Sequence, residues 1–173
     1  MTGWRWRFPV RIALLALAAG MAGVAGALEP GATLPALSAP AFGARAPALA
    51  LAGLRGRVVY VDFWASWCVP CRLSMPALDA LQRRHEPAGL TVLGVNKDSS
   101  RADAERFLKR VPVGFALLED PDDVVARAFG VKAMPSGYLV DRKGVVRKVH
   151  TGFSEQTAVE LGREIEILLK EPG

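Results

Sequence analysis

The pattern of apolar and polar positions along the chain predicts strands and helices in alternation. The run from Val58 to Trp64 is β-branched or aromatic at every position except Asp62, which predicts a strand covered on both faces. Helical spacing and helix-boundary residues predict helices at about 69–85, 100–110, 122–129 and after Ser154. Shorter apolar runs predict strands at about 90–96, 115–118, 137–140 and 145–149. The order β-β-α-β-α-β-α-β-β-α predicts an α/β domain whose mixed sheet has helices on both faces.

The helix that follows the central strand is predicted to bury one face. Leu73 and Leu78 lie on its apolar stripe, so we expect them in the core, whereas Asp79 falls on the side that should face solvent. The chain has two histidines, His85 at the end of this helix and His150 at the end of a predicted strand. We expect both histidines at the surface.

The N-terminus has the pattern of an export signal. Three arginines within the first eleven residues precede an apolar run over 12–26, and Ala25-Gly26-Ala27 fits a small-x-small cleavage site. We therefore predict a signal peptide over 1–27, a mature domain over 28–173 and export to the periplasm. An uncleaved membrane anchor is the alternative, although this run is shorter than the roughly 20 residues that span a bilayer.

The charge of the chain gives no indication of a nucleic-acid partner. The formal net charge is +5, but three of the 22 basic residues lie in the predicted signal without any acidic neighbour there. The rest of the chain is nearly balanced against its 17 acidic residues. Neither the net charge nor a clustered basic face favours binding to DNA or RNA.

The two cysteines of the chain, Cys68 and Cys71, are two residues apart and precede a predicted helix. Backbone N–H groups and the positive end of the helix dipole should lower the pKa of the Cys68 thiol and make it reactive. A structural disulfide is one alternative, but a loop this short removes little chain entropy. A metal site is another, but neither histidine has zinc-like spacing to the pair. The spacing therefore favours a redox site.

Asp62 is the one ionisable group in an otherwise apolar strand. Burial without a partner would raise the pKa of its carboxyl group above that of a free aspartate. The alternatives are an ion pair with a lysine or exposure at the end of the strand.

Two segments resemble the thioredoxin superfamily. One is Asp62-Phe-Trp-Ala-Ser-Trp-Cys-Val-Pro-Cys71, and the other is Gly130-Val-Lys-Ala-Met-Pro-Ser-Gly-Tyr-Leu-Val-Asp-Arg-Lys-Gly144. The export signal, the Gly-x-x-x-Pro opening at Gly31 and the extra strand and helix between Leu118 and Gly130 are similar to the exported TlpA-like, redoxin-type thiol–disulfide reductases of bacteria. This resemblance implies a thioredoxin fold with an N-terminal extension and a strand–helix insertion before the cis-proline.

The resemblance also implies roles for particular residues. Cys68 would attack a substrate disulfide and Cys71 would resolve the mixed disulfide, while Asp62 beneath the pair would accept the proton of Cys71. Pro135 would be the cis-proline and Met134 would face Cys68 with a backbone free to pair with substrate; a trans turn proline is the alternative. Trp67 would be part of an apolar rim around the site, although it and Trp64 could also be core residues.

The implied activity is reduction of disulfides in other exported proteins, with no cofactor beyond the two thiols. A membrane electron donor that passes electrons from the cytoplasm would restore the dithiol. Ser74 and Ser136 stand where relatives often carry acidic residues, the second of them in relatives of the haem pathway, which leaves the protein partner open. The alternatives are a thiol oxidase or isomerase and, in another class, a copper metallochaperone that would bind copper and tolerate Asp62→Asn.

Overall fold

A computed structural model describes residues 27–43 and 48–173 of the 173-residue chain. The predicted signal peptide over 1–27 therefore lies, except for its last residue, outside the described residues. Among the helices of the two described ranges, none has the length and apolar character needed to cross a membrane.

The described residues form seven strands and four helices, in the predicted order except that two short strands, not one, precede the central strand. The strands are β1 Ser38–Ala39, β2 Leu49–Ala50, β3 Val58–Trp64, β4 Leu90–Asn96, β5 Ala116–Glu119, β6 Ser136–Val140 and β7 Val146–Thr151. The helices are α1 Cys71–His85, α2 Arg101–Arg110, α3 Val124–Phe129 and α4 Glu155–Lys170. Strands β1 and β2 pair with each other, and the other five form one sheet in the order β5-β4-β3-β6-β7. The β3–β4 and β4–β5 pairs are parallel and the β3–β6 and β6–β7 pairs antiparallel, which confirms the predicted mixed sheet and thioredoxin-like fold.

Strand β3 lies at the centre of the sheet, and all seven of its residues are buried. Because side chains alternate along a strand, Tyr60, Asp62 and Trp64 lie on one face and Val59, Val61 and Phe63 on the other. We call the first the α1 face, since Tyr60 and Trp64 share an apolar cluster with residues of α1, α2 and α4. We call the second the α3 face, since its cluster contains residues of α3 and of the N-terminal segment.

The N-terminal segment lies along both edges of the sheet. Its many prolines predict extended edge structure, because proline cannot donate within a sheet. Near its start, Gly31 N–H donates to the carbonyl of Val146 in β7 (2.7 Å). Further along, Phe42 N–H donates to the carbonyl of Leu117 in β5 (2.8 Å). The segment between them buries Ala39 against the α3 face.

Three predictions about residues of α1 are wrong, those for Leu73, Asp79 and His85. Leu73 is 45% exposed, because it lies on the side of α1 that faces away from the core, whereas Cys71 and Met75 on the other side are fully buried. Asp79 is buried, because its carboxyl group accepts a hydrogen bond from Gly114 N–H (2.7 Å) and pairs with Arg83. The helix begins at Cys71, two residues later than predicted. His85, predicted at the surface, is 8% exposed and closes the same helix.

Candidate active site

Cys68 and Cys71 form a disulfide in this structure, with their Cα atoms 5.4 Å apart. Cys71 is the first residue of α1, and Cys68 is 3% exposed against 0% for Cys71. The first turn of α1 contains no acidic side chain, so nothing there offsets the positive end of the helix dipole. A thiolate at Cys68 would therefore be stabilised at this helix terminus.

Trp67 and Trp64 have opposite environments although they are three residues apart. Trp64 is fully buried on the α1 face, where its ring packs at 5.3 Å from that of Phe107. Trp67 is 64% exposed, and Val69, between the two cysteines, is exposed as well. Leu73 is exposed too, so three exposed apolar side chains lie within five residues of Cys68 in the sequence.

The loop that precedes β6 contains a cis peptide bond between Met134 and Pro135. The Pro135 carbonyl accepts a hydrogen bond from Gly152 N–H (2.9 Å), and the Ser136 hydroxyl donates to the Ala133 carbonyl (2.8 Å). Met134 is half-buried and packs against the apolar cluster that contains both cysteines as well as against the cluster of the α3 face.

Asp62 is buried on the α1 face, the face on which the cysteines pack, and its Oδ2 has no hydrogen-bond partner. Burial alone raises the pKa of its carboxyl group well above the usual range. The register places Gly94 of β4 and Gly137 of β6 directly opposite it. Within the described residues the carboxyl group belongs to no ion pair, so neither the lysine partner nor exposure at the strand end applies.

The sequence does not predict a second group of ionisable side chains on this face. His150 of β7 lies opposite Gly137, which places it in the same row across the sheet as Asp62. A Cβ atom on Gly137 would come within 1.8 Å of the Tyr60 hydroxyl, so that hydroxyl occupies the space between Asp62 and His150. This row cannot be predicted from the sequence pattern, because it depends on how three strands pair.

His150 is therefore not the surface residue that the sequence predicts. Its Nε2 lies 3.2 Å from Glu164 Oε2 of α4, although neither atom makes a hydrogen bond. Burial lowers the pKa of His150, and the negative charge of Glu164 opposes that shift. For Tyr60, burial raises the pKa well above its usual value, with smaller contributions from Asp62 and Glu164.

Across residues 27–43 and 48–173, no three side chains of histidine, cysteine, aspartate or glutamate come together as a potential metal site.

The chain is similar to known proteins over most of its length. The Redoxin family profile matches residues 29–164. The thiol–disulfide oxidoreductase ResA of Geobacillus thermodenitrificans is 33% identical over 125 residues, which are 66% of this chain and 72% of that protein. ResA of Bacillus subtilis is 29% identical over 109 residues, which are 63% of this chain and 61% of that protein.

The chain is also similar to solved structures of thiol–disulfide proteins. A putative thiol:disulfide interchange protein DsbE from Chlorobium tepidum is 37% identical and superposes with a TM-score of 0.78, covering 83% of this chain and 99% of that one. A secreted thiol–disulfide isomerase from Corynebacterium glutamicum is 25% identical with a TM-score of 0.72, covering 80% and 86%. With a matching profile over most of its length, a thioredoxin-like sheet and a Cys-x-x-Cys disulfide at the start of α1, the chain belongs to the Redoxin family and is a TlpA-like thiol–disulfide oxidoreductase.

Proposed function

We propose that this protein is exported to the periplasm and reduces disulfides of other exported proteins at Cys68 and Cys71. The observation that carries the proposal is Asp62, a buried carboxyl group without an ion-pair partner on the face where the cysteines pack. A dithiol that reduces a substrate must release the proton of its second thiol as the internal disulfide forms. A carboxyl group whose pKa is raised by burial is suited to accept that proton.

The reaction proceeds in two exchanges. The Cys68 thiolate attacks one sulfur of the substrate disulfide, and the other substrate sulfur leaves as a thiolate. The Cys71 thiol then passes its proton to the Asp62 carboxylate and attacks the Cys68 sulfur, which releases the second substrate thiolate. The substrate gains two electrons, and the enzyme ends with the Cys68–Cys71 disulfide and a protonated Asp62. The disulfide and the raised pKa of Asp62 in this structure fit that end state.

Substrate would bind beside Cys68. The exposed Trp67 side chain offers an apolar surface to the residues around the substrate disulfide. The backbone at Met134, next to Pro135, pairs with an extended substrate segment as an added strand.

Export is supported by the pattern over 1–27 and by the likeness to a secreted isomerase. Reduction in the periplasm requires a source of electrons, since the oxidised enzyme has no other way to recover its thiols. A membrane electron donor that carries electrons from the cytoplasm meets this need, as the family resemblance implies.

The reduction potential tests the direction of the reaction. Equilibration with glutathione mixtures of known ratio should place the potential near the thioredoxin value of about −270 mV and well below the oxidant value of about −120 mV. A potential above roughly −150 mV would remove the reductase proposal and leave an oxidase.

A trapping experiment tests the substrates. In the periplasm, Cys71→Ala should accumulate mixed disulfides through Cys68, because the resolving thiol is missing. Mass spectrometry then identifies the partners, with the Cys68→Ala and Cys71→Ala double variant as the matched control. Equal recovery of partners from the control would show that they are not held through Cys68.

A further inference from the structure

The turn that connects β3 to the cysteines is held by the carboxyl group of Asp98, which lies in the segment after β4. Ser66 N–H donates to Asp98 Oδ2 (2.9 Å) and the Ser66 hydroxyl donates to Asp98 Oδ1 (2.7 Å). Within the turn, Cys68 N–H donates to the Ala65 carbonyl (3.1 Å). Ser66 is thus held on the same turn that ends at Cys68, two residues later.

Asp98 is itself fixed by the sheet. It follows β4, where Asn96 lies opposite Trp64, and Lys97 N–H donates to the Trp64 carbonyl (2.9 Å). The Asn96 amide donates to Asp98 Oδ2 (2.7 Å), and Asp98 N–H donates back to the Asn96 side chain (3.2 Å). The carboxyl group therefore has a defined position relative to the end of β3.

The buried carboxyl group of Asp98 is satisfied by hydrogen bonds alone. It is 6% exposed, and within the part of the chain that the structure describes it forms no ion pair with a lysine, arginine or histidine. Buried carboxyl groups are normally paired with a cation or satisfied by several hydrogen bonds. The Asp98 carboxyl group accepts three hydrogen bonds, two from Ser66 in the active-site turn and one from Asn96.

We propose that Asp98 is a positioning residue for the nucleophile, which acts through Ser66 to keep Cys68 within bonding distance of Cys71. Closing the disulfide depends on the effective concentration of one thiol at the other, and that concentration falls when either one gains freedom. Loosening the turn therefore makes the disulfide less favourable relative to the dithiol. The inference rests on the redox activity of the pair but not on its direction.

Asp120 provides a matched control. It is 4% exposed and follows β5 as Asp98 follows β4. Its carboxyl group accepts hydrogen bonds from Val125 N–H (3.0 Å) and Ala126 N–H (2.8 Å), at the start of α3. The two aspartates are comparable in burial, and both accept hydrogen bonds without an ion pair, but only Asp98 bonds to the turn that carries Cys68.

The test compares Asp98→Asn, Ser66→Ala and Asp120→Asn in the full-length protein, with the equilibrium constant for disulfide closure measured against glutathione. Asp98→Asn should lower this constant about tenfold, which corresponds to about 30 mV toward a less reducing potential. Ser66→Ala should lower it about threefold, and it retains the carboxyl group, so it separates lost geometry from lost charge. Asp120→Asn should leave it within twofold of the wild type.

Denaturant melts of the same variants complete the test. A purely structural role predicts that both aspartate variants lose stability while all three keep the wild-type closure constant, and that result would overturn the proposal. If Asp98→Asn does not fold, Ser66→Ala alone decides, because it removes one hydroxyl group. A wild-type potential in the oxidant range would remove the reductase proposal and leave the comparison among these variants intact.

Discussion

The two faces of the sheet differ in whether their buried polar side-chain atoms have hydrogen-bond partners. On the α3 face, Phe63, Phe129 and Tyr138 form an aromatic cluster with edge-to-face ring contacts at 4.9–5.8 Å. The Tyr138 hydroxyl in this cluster donates to the Phe129 carbonyl (3.0 Å). Its polar tip is satisfied, as is normal for a buried tyrosine.

The α1 face differs in this respect. In the described residues, the buried side-chain atoms without a hydrogen-bond partner belong to this face or to its covering helices: Asp62 Oδ2, Trp64 Nε1, His85 Nε2, both ring nitrogens of His150, and Glu164 Oε2. A buried polar atom left without any partner costs about 1–3 kcal/mol. The cysteine pair packs on the same face. The comparison indicates that the α3 face satisfies the polar atom it buries, whereas the α1 face retains polar groups that are costly for folding and available for proton transfer.

Truncating the α3 aromatic cluster should have the largest effect on stability and little effect on redox chemistry. Phe129→Ala removes a fully buried ring and should lower the free energy of unfolding by about 3–5 kcal/mol. Denaturant melts measure the loss, and glutathione equilibration should give a wild-type potential. A potential shifted by more than about 30 mV would break the comparison, because the two faces would then be coupled.

Changing the acid of the α1 face should have the reverse effect. Asp62→Asn keeps the size of the side chain but removes the proton acceptor, so resolution by Cys71 should slow about 10²-fold while attack by Cys68 changes much less. Stopped-flow fluorescence of Trp64 and Trp67 separates the two steps. Tyr138→Phe, on the α3 face, is the control and should change neither rate. Unchanged resolution together with a large loss of stability would make Asp62 a structural residue.

The same substitution should alter how stability depends on pH. Because the pKa of Asp62 is raised in the folded protein, the unfolded chain loses this proton first. The contribution of Asp62 to stability is therefore fully present below the unfolded pKa of about 3.9 and is lost as pH rises toward the folded pKa, by at most about 1.4 kcal/mol per unit. Urea melts across pH should show a shallower fall in Asp62→Asn, which should be at least as stable as the wild type at neutral pH. Parallel curves would contradict the burial of an uncharged Asp62.

His150 should give a smaller effect of opposite sign. Its pKa is lowered by burial, so its contribution is present above the unfolded pKa of about 6.5 and is lost as pH falls through the folded pKa. The effect is small because Glu164 offsets part of the shift. The difference in stability between the wild type and His150→Gln, measured by melts, should therefore decrease as pH falls from 8 to 5. If the wild type instead gained stability relative to His150→Gln on acidification through this range, His150 would be charged in the folded state.

Features that depend on residues close together in the chain could be predicted from the sequence. The apolar run of β3 and the cysteine spacing led directly to the central strand, the redox pair and the unusual Asp62. Contacts between distant segments were not accessible in this way. Asp79 is buried because a loop 35 residues away needs a hydrogen-bond acceptor, and Asp98 bonds to a serine 32 residues earlier. The row formed by Asp62 and His150 depends on strand register, which no helical or alternating period encodes.

The N-terminal segment has a consequence for how this protein avoids self-association. Residues near 31–34 bond to the outer side of β7, and residues near 40–42 bond to the outer side of β5. These are the two edges of the five-stranded sheet, where unpaired backbone groups would otherwise be open to another chain. One short proline-rich segment thus blocks part of both edges. Its removal would open two sites for strand-by-strand aggregation at once, without touching the cysteines.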